Sequence, residues 1–249
     1  MIAELAETPR LLVASDFDGT LAEIVDDPLL ATPLDRSRVA LEALAELEGT
    51  AVAIISGRRR SDLLERFDHP KLILVGEHGA DHGSVTGPET EALAAARVLV
   101  DAAVESTPGA RAEHKTRSVG FHYRAVAHPE AVVGELRKQA STIEGLRVIE
   151  GKKILELTDS SMSKGLALKE LRDTLDVDRA LFMGDDVTDE TAFAVLEDGD
   201  VGVHVGVGPT AAQLKVSSPS QLADFLETLV EARRARPSSP TGRVDNRDT

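Results

Sequence analysis

The chain has 249 residues, 42% of them apolar, which suffices for one large core or for a core of about 150 residues carrying a smaller inserted unit. Its formal charge of −15 argues against a partner gripped through a phosphate backbone, because such binding needs clustered Lys and Arg; nucleic acid is not an expected partner. With no Cys there is no thiolate site, and with no Trp and a single Tyr aromatic stacking platforms are poorly supplied, so a ligand is expected to be held mainly by polar contacts.

Residues 1–10 carry Glu4 and Glu7 and have no basic start followed by an apolar stretch, so they do not read as a signal peptide. No apolar run reaches the roughly 20 residues that span a bilayer, and a cytoplasmic protein without a membrane partner is the expectation. Residues 11–14 form a short apolar run that stops at Ser15-Asp16-Phe17-Asp18-Gly19-Thr20, as a buried strand emptying into a loop does. From Thr32-Pro33, a cap residue followed by proline, apolar Val39, Leu44 and Leu47 recur at helical spacing until Gly49. Residues 51–55 and 72–75 read as two more buried strands, ending at Ser56-Gly57-Arg58 and at Gly76-Glu77-His78-Gly79. The alternation β, α, β, α, β predicts a parallel sheet.

The middle of the chain has another rhythm. A helix over about 89–105 precedes alternating segments at 110–118 and 119–126, and a helix over about 129–143 precedes segments at 146–149 and 153–157. The order α, β, β, α, β, β suits a small antiparallel sheet with helices on one face, an α+β cap inserted into the core. The α/β pattern resumes with a helix over 164–175, a strand over 180–183 ending at Gly184-Asp185-Asp186, a strand over 201–205 and a helix over about 221–234. The predicted division is therefore core over 1–85, cap over 86–160, core over 161–234, and a Pro- and Ser-rich tail over 235–249 too polar to order itself. The fold class is α/β: a parallel Rossmann-like sheet with helices on both faces, plus the cap.

Four polar clusters, Asp16-Phe17-Asp18, Ser56-Gly57-Arg58, Lys164 and Gly184-Asp185-Asp186, fall at strand ends or a helix start that one sheet edge can share, which is where open α/β sheets bind ligands. Crowded carboxylates need a compensating cation, and a hard divalent ion with one lysine provides it. Mg²⁺ takes oxygen ligands, here Asp16, Asp185 and the main-chain carbonyl of Asp18. Asp16 can then attack phosphorus to give an aspartyl-phosphate. Asp18 would protonate the leaving oxygen and later take a proton from water. Ser56 and the N–H of Gly57 would hold phosphoryl oxygens, and Lys164 would supply a second positive charge.

In order and spacing these motifs resemble the haloacid dehalogenase superfamily of aspartate-based phosphatases. The run Gly184-Asp185-Asp186-Val187-Thr188-Asp189-Glu190, with Glu77-His78-Gly79, Lys115 and His122-Tyr123-Arg124, is similar to the trehalose-6-phosphate phosphatase family, over roughly residues 11–230. The resemblance implies nucleophile, acid/base, phosphate-binding hydroxyl and lysine at Asp16, Asp18, Ser56 and Lys164. It implies magnesium at Asp16, Asp18 and Asp185, and an α/β cap closing over the sugar. Sugar and phosphate contacts would come from Gly57, Arg58, Glu77, His78, Gly79, Glu113, Lys115, His122, Arg124 and Glu156, with Asp186 and Asp189 behind them. The expected partner is small-molecule trehalose 6-phosphate, acted on by a monomer, with sucrose 6-phosphate or mannosylglycerate phosphate as alternatives. Residues 159–163 lack the acidic or amide residue that often precedes the lysine in relatives, and no glycosyltransferase domain precedes the phosphatase, so no bifunctional synthase is expected.

Each feature has an ordinary reading beside the chemical one. Asp-x-Asp is common in turns, Ser56 can be a helix N-cap, and Asp186, Asp189 and Glu190 suit any acidic first turn. Lys164 in a first turn opposes the helix dipole, which points to an anionic neighbour. Lys115 and Arg124 can be solvated strand charges, and of Arg58-Arg59-Arg60 only Arg58 is placed to approach the site. His69, His114 and His128 read as surface residues and His204 as structural. A catalytically silent module would have lost one of Asp16, Asp18, Lys164 or Asp185, and a calcium loop would need a different acidic spacing.

Overall fold

The computed structural model describes residues 1–81, 89–160 and 162–236. In chain order the elements are α1 (Ile2–Glu7), β1 (Leu11–Ser15), α2 (Asp35–Ala45), β2 (Thr50–Ile55), α3 (Arg60–Leu64), β3 (Leu72–Val75), α4 (Glu91–Glu105), β4 (Arg111–His114), β5 (Ser118–His122), α5 (Glu130–Ala140), β6 (Leu146–Gly151), β7 (Ile154–Asp159), α6 (Lys164–Leu175), β8 (Arg179–Gly184), α7 (Glu190–Phe193), β9 (Val201–Val205), β10 (Leu214–Val216) and α8 (Pro219–Arg234).

Six strands form an all-parallel sheet in the order β10-β9-β8-β1-β2-β3. The central strand β1 is apolar without alternation because both of its faces are covered. Leu11 and Val13 pack with residues of α1, α2 and α8 on one side, and Leu12 and Ala14 with residues of α6 and α7 on the other. Each fully buried Leu or Val here contributes about 1.5–3 kcal/mol, so the strands are clamped along their length and their ends are fixed in space. Because β8, β1, β2 and β3 are adjacent and parallel, Gly184, Asp16, Ser56 and Gly76 leave the sheet at one edge.

A second sheet, antiparallel in the order β4-β5-β7-β6, carries α4 and α5 on one face. Val119, Phe121, Leu155 and Leu157 alternate toward Ala96, Val100, Val133, Leu136 and Ala140 in a separate apolar cluster. Ser118, Gly120, His122, Glu156 and Glu113 are left on the opposite face, the one turned to the core sheet's edge. Lys115 Nζ donates to the Gly57 carbonyl at 3.1 Å, and Arg59 Nη2 donates to the His114 carbonyl at 3.1 Å. No helix among the described residues is long and apolar enough to cross a membrane.

The structure departs from the sequence pattern in several places. α2 begins at Asp35 behind Leu34, not at Thr32-Pro33, because the Leu34 N–H is spent on the Leu21 carbonyl and holds that stretch extended. The segments at 110–118 and 119–126 contract to β4 and β5 around a turn closed by the Lys115 N–H on the Ser118 carbonyl. α1, α7 and β10, of 6, 4 and 3 residues, are too short for a periodic signal, whereas α3 is the helix that the alternation places between β2 and β3. The predicted division between 85 and 86, and residues 237–249 of the tail, lie outside the described residues.

Candidate active site

Asp16 follows β1 directly, its N–H bonded to the Met183 carbonyl of β8, and is 4% exposed. A buried carboxylate needs a cation, and Lys164, the first residue of α6, brings Nζ to 2.9 Å from Asp16 Oδ1 and 2.8 Å from Asp189 Oδ1. α6 can come this close because Gly165 has no side chain, since a Cβ there would stand 2.1 Å from the Thr191 carbonyl oxygen. Burial opposes the Lys164 charge, but Asp16 and Asp189 outweigh it and hold the ammonium above the ordinary lysine range.

Asp189 is fully buried and organises the turn after β8. Its Oδ2 accepts from the N–H groups of Asp185 and Asp186 at 2.9 and 3.0 Å, and Gly184 makes room for it, as a Cβ there would lie 2.2 Å from Asp189 Cγ. Asp185 is steered from the other side by Thr20 Oγ1, which donates to Oδ1 at 3.0 Å, while Gly19, at φ +80°, leaves space that a side chain would take from the carboxylate. Asp186 turns back on its own loop and accepts from the Thr188 N–H and hydroxyl.

Asp16, Asp185 and Asp189 each place an oxygen within 4.8 Å of the others. Burial, reinforced by the neighbouring carboxylates, pushes Asp16 well up and Asp185 up to about 7. Three carboxylates against one ammonium leave an excess of negative charge, and the donor set is all oxygen. These residues fit a hard divalent cation.

Asp18 points elsewhere. Arg58 clasps it at two points, Nε to Oδ2 at 2.7 Å and Nη2 to Oδ1 at 2.6 Å. The guanidinium lies 5.0 Å over the Phe17 ring and also donates to the Pro28 carbonyl. Ser56, at the end of β2, is 1% exposed, and its Oγ accepts from the Arg58 N–H at 3.3 Å.

The segment after β3 ties the two sheets together. Glu77 and His78 both adopt left-handed backbone, φ 50° and 57°, which costs on the order of 1–3 kcal/mol for a residue with a side chain. That geometry sends the Glu77 N–H to the Arg58 carbonyl and the His78 N–H to the Ser56 carbonyl. Glu77, 4% exposed, gives its carboxylate to the Thr116 hydroxyl and the Arg117 N–H, so it faces the β4–β5 turn. The His78 ring lies against Gly57, where a Cβ would come within 2.6 Å of it. Gly79 is a packing position, as a Cβ would sit 2.9 Å from the Ser163 carbonyl oxygen.

On the facing sheet, Glu113 pairs with His122 at 2.9 Å, and Glu156 accepts from Lys115 Nζ at 3.0 Å and from Ser118 Oγ at 2.6 Å. Burial would raise the Glu156 carboxyl, but His78, Lys115 and Ser118 outweigh it and hold the group well below the usual carboxylate range. Arg124 stands at the rim and donates to the Asp26 carbonyl. Arg59, read from the sequence as solvated, instead reaches Glu113 at 3.4 Å and the His114 carbonyl. His204 is buried, as its strand position suggested, and His114 is exposed and paired with Asp101. Thr20, Thr116, Arg117 and Ser118 were missed, because only register and turn geometry bring common hydroxyls and a loop N–H to the carboxylates.

A family model described as trehalose-phosphatase matches residues 14–226. The trehalose-phosphate phosphatase of Mycobacterium marinum is 38% identical over 240 residues, covering 87% of this chain and 60% of its own length. That of Mycobacterium tuberculosis strain H37Rv is 34% identical over 250 residues, covering 91% and 63%. The chain thus spans about 60% of the length of such relatives. Among solved structures, the C-terminal domain of Candida albicans trehalose-6-phosphate phosphatase superposes with a TM-score of 0.77 at 25% identity, covering 92% of this chain and 95% of that one. The Aspergillus fumigatus trehalose-6-phosphate phosphatase gives 0.68 at 27%, covering 93% and 98%.

Proposed function

The chain belongs to the trehalose-phosphatase family, and from that premise we propose that it hydrolyses trehalose 6-phosphate to trehalose and phosphate, with Asp16 as nucleophile. The observation that carries this reading is a buried carboxylate at the end of the central strand, held 2.9 Å from a buried lysine, at the one edge where the neighbouring strands deliver Ser56 and Asp185.

An Asp16 oxygen attacks phosphorus in line with the bridging oxygen, forming an acyl phosphate as the P–O bond to the sugar breaks. Asp18 delivers a proton to the departing sugar oxygen, then takes one from the water that cleaves the acyl phosphate and restores Asp16. Both Asp18 carboxylate oxygens are engaged by Arg58, so Asp18 exchanges Arg58 for the substrate's bridging oxygen before the first step. Ser56 Oγ and the Gly57 N–H hold phosphoryl oxygens, and Lys164 stabilises charge on the transferring group. Mg²⁺, when bound, neutralises phosphoryl charge and aligns the group with its nucleophile. Asp16, Asp185 and the Asp18 main-chain carbonyl would hold it. Asp189 is its support, since both of its oxygens serve Lys164 and two N–H groups.

Residues 86–160 act as the cap, with Glu113, Lys115, His122 and Glu156 over the sugar. Closure excludes bulk water from the acyl phosphate. In a Mg²⁺ buffer, phosphate release is expected from trehalose 6-phosphate far above glucose 6-phosphate and sucrose 6-phosphate, to vanish in EDTA, and to fall at least ~10³-fold in Asp16→Asn. Near-wild-type turnover by that variant would remove the mechanism, and preference for another sugar phosphate would remove the substrate.

A further inference from the structure

Glycine inside a strand weakens it, and where no backbone constraint explains it, it marks close approach by another group. Gly184 and Gly202 have such explanations: a Cβ would run into the Asp189 carboxylate in one case and the Phe193 ring in the other. Gly120, in the middle of β5, has no left-handed φ, and the nearest atoms a Cβ would meet are the Ile154 Cδ1 at 3.0 Å and the His122 Nε2 at 3.6 Å, both tips of side chains. The position faces the core sheet's edge, since Val119 and Phe121 on either side point into the opposite apolar cluster.

Register places Gly120 between Glu113 on β4 and Glu156 on β7, with Ser118 and His122 before and after it on the same face. Ile154 pairs with His122 on one side and with Gly151 on the other. Its branches reach into the space both glycines leave, Cδ1 toward residue 120 and Cγ2 to 2.7 Å from where a Cβ on residue 151 would be. Ile154 therefore reaches across this face toward Gly120, which Glu113 and Glu156 flank in register, and Ile149, paired with Glu156, is a second aliphatic residue on the same face.

We infer that Gly120 and Ile154 are the floor of the sugar subsite: the C–H face of a pyranose ring rests on Ile154, and the missing side chain at residue 120 sets the depth at which its hydroxyls meet Glu113 and Glu156. This inference rests on the sugar-phosphatase reading above. It also answers how a chain with no Trp and one Tyr, itself packed beside Phe121, offers an apolar platform to a sugar.

The test compares trehalose 6-phosphate with p-nitrophenyl phosphate, which has the reacting group and no sugar. Gly120→Val raises the floor while suiting the strand, and Ile154→Ala removes it. KM for trehalose 6-phosphate is expected to rise about 10- to 100-fold in Gly120→Val and about 5- to 10-fold in Ile154→Ala, with p-nitrophenyl phosphate turnover within about twofold of wild type in both. Unchanged KM, or equal losses on both substrates, overturns the floor. If Gly120→Val fails to fold by circular dichroism, Ile154→Ala decides alone. If the wild type prefers another sugar phosphate, the variants are read on that compound, and the same split keeps the floor while the trehalose assignment falls. A wild type that cleaves p-nitrophenyl phosphate but no sugar phosphate overturns both.

Discussion

Lys164 is the residue on which the charge balance turns. It is 2% exposed, and its ammonium is the group that makes Asp16 and Asp189 compatible at close range. Replacing it with methionine keeps the volume and leaves both carboxylates facing an apolar tip, so the nucleophile is held protonated or displaced. Lys164→Met is expected to lower kcat by about 10²- to 10³-fold or more, read as phosphate release at saturating substrate and Mg²⁺. Residues of this kind were legible in the sequence because a single side chain against the helix dipole, or a carboxylate pair at a strand end, carries its own physical signal. Asp189 was only half legible. Its work depends on a turn folding back over Gly184, and an acidic residue near a helix start looks the same when it is merely solvated.

At the scale of elements, what decides the site is how closely α6 approaches the turn before α7. Gly165 permits that approach, and a methyl group there meets backbone on the facing element, with Thr191 carbonyl oxygen at 2.1 Å and its carbon at 2.7 Å, where no side chain can swing aside. Gly165→Ala is therefore expected to cost about 1–3 kcal/mol in urea unfolding, by the usual penalty for overpacking, and to reduce turnover because α6 carries Lys164 outward with it. The longer elements could be read from the sequence to within a few residues, since burial on both faces of β1 or one face of α4 imposes its period directly. The β4–β5 turn could not. Its ends are fixed by Glu77 receiving the Thr116 hydroxyl and the Arg117 N–H, a contact between segments 40 residues apart. Glu77 accordingly ties the two sheets together.

Across the whole molecule, buried charge is handled differently from place to place: Glu156 and Asp200 are paired directly with Lys115 and Arg172. Far from the site, Arg233 of α8 is 5% exposed and donates to the carbonyls of Leu5, Ala6, Thr8 and Gly49, binding the start of the chain to the last helix with no carboxylate among the described residues as its partner. At the sheet edge the surplus is negative and remains unbalanced within the protein. Asp185, pushed up to about 7 from an ordinary 3.8, holds a proton more tightly in the folded chain than in the unfolded one. A group shifted upward contributes stability that is complete below its unfolded value, near pH 4, and is lost as pH climbs through about 7. In EDTA the melting temperature is thus expected to fall between pH 5 and pH 8. Two interventions should flatten that slope for the same electrostatic reason: Asp185→Asn, which removes the ionising group, and millimolar Mg²⁺, which compensates it. Thermal melts across this range, with and without the cation, check the account. A melting temperature that rises with pH in EDTA, or a slope indifferent to both interventions, would show that the carboxylate cluster is neutralised by the protein alone and has no need of a cation.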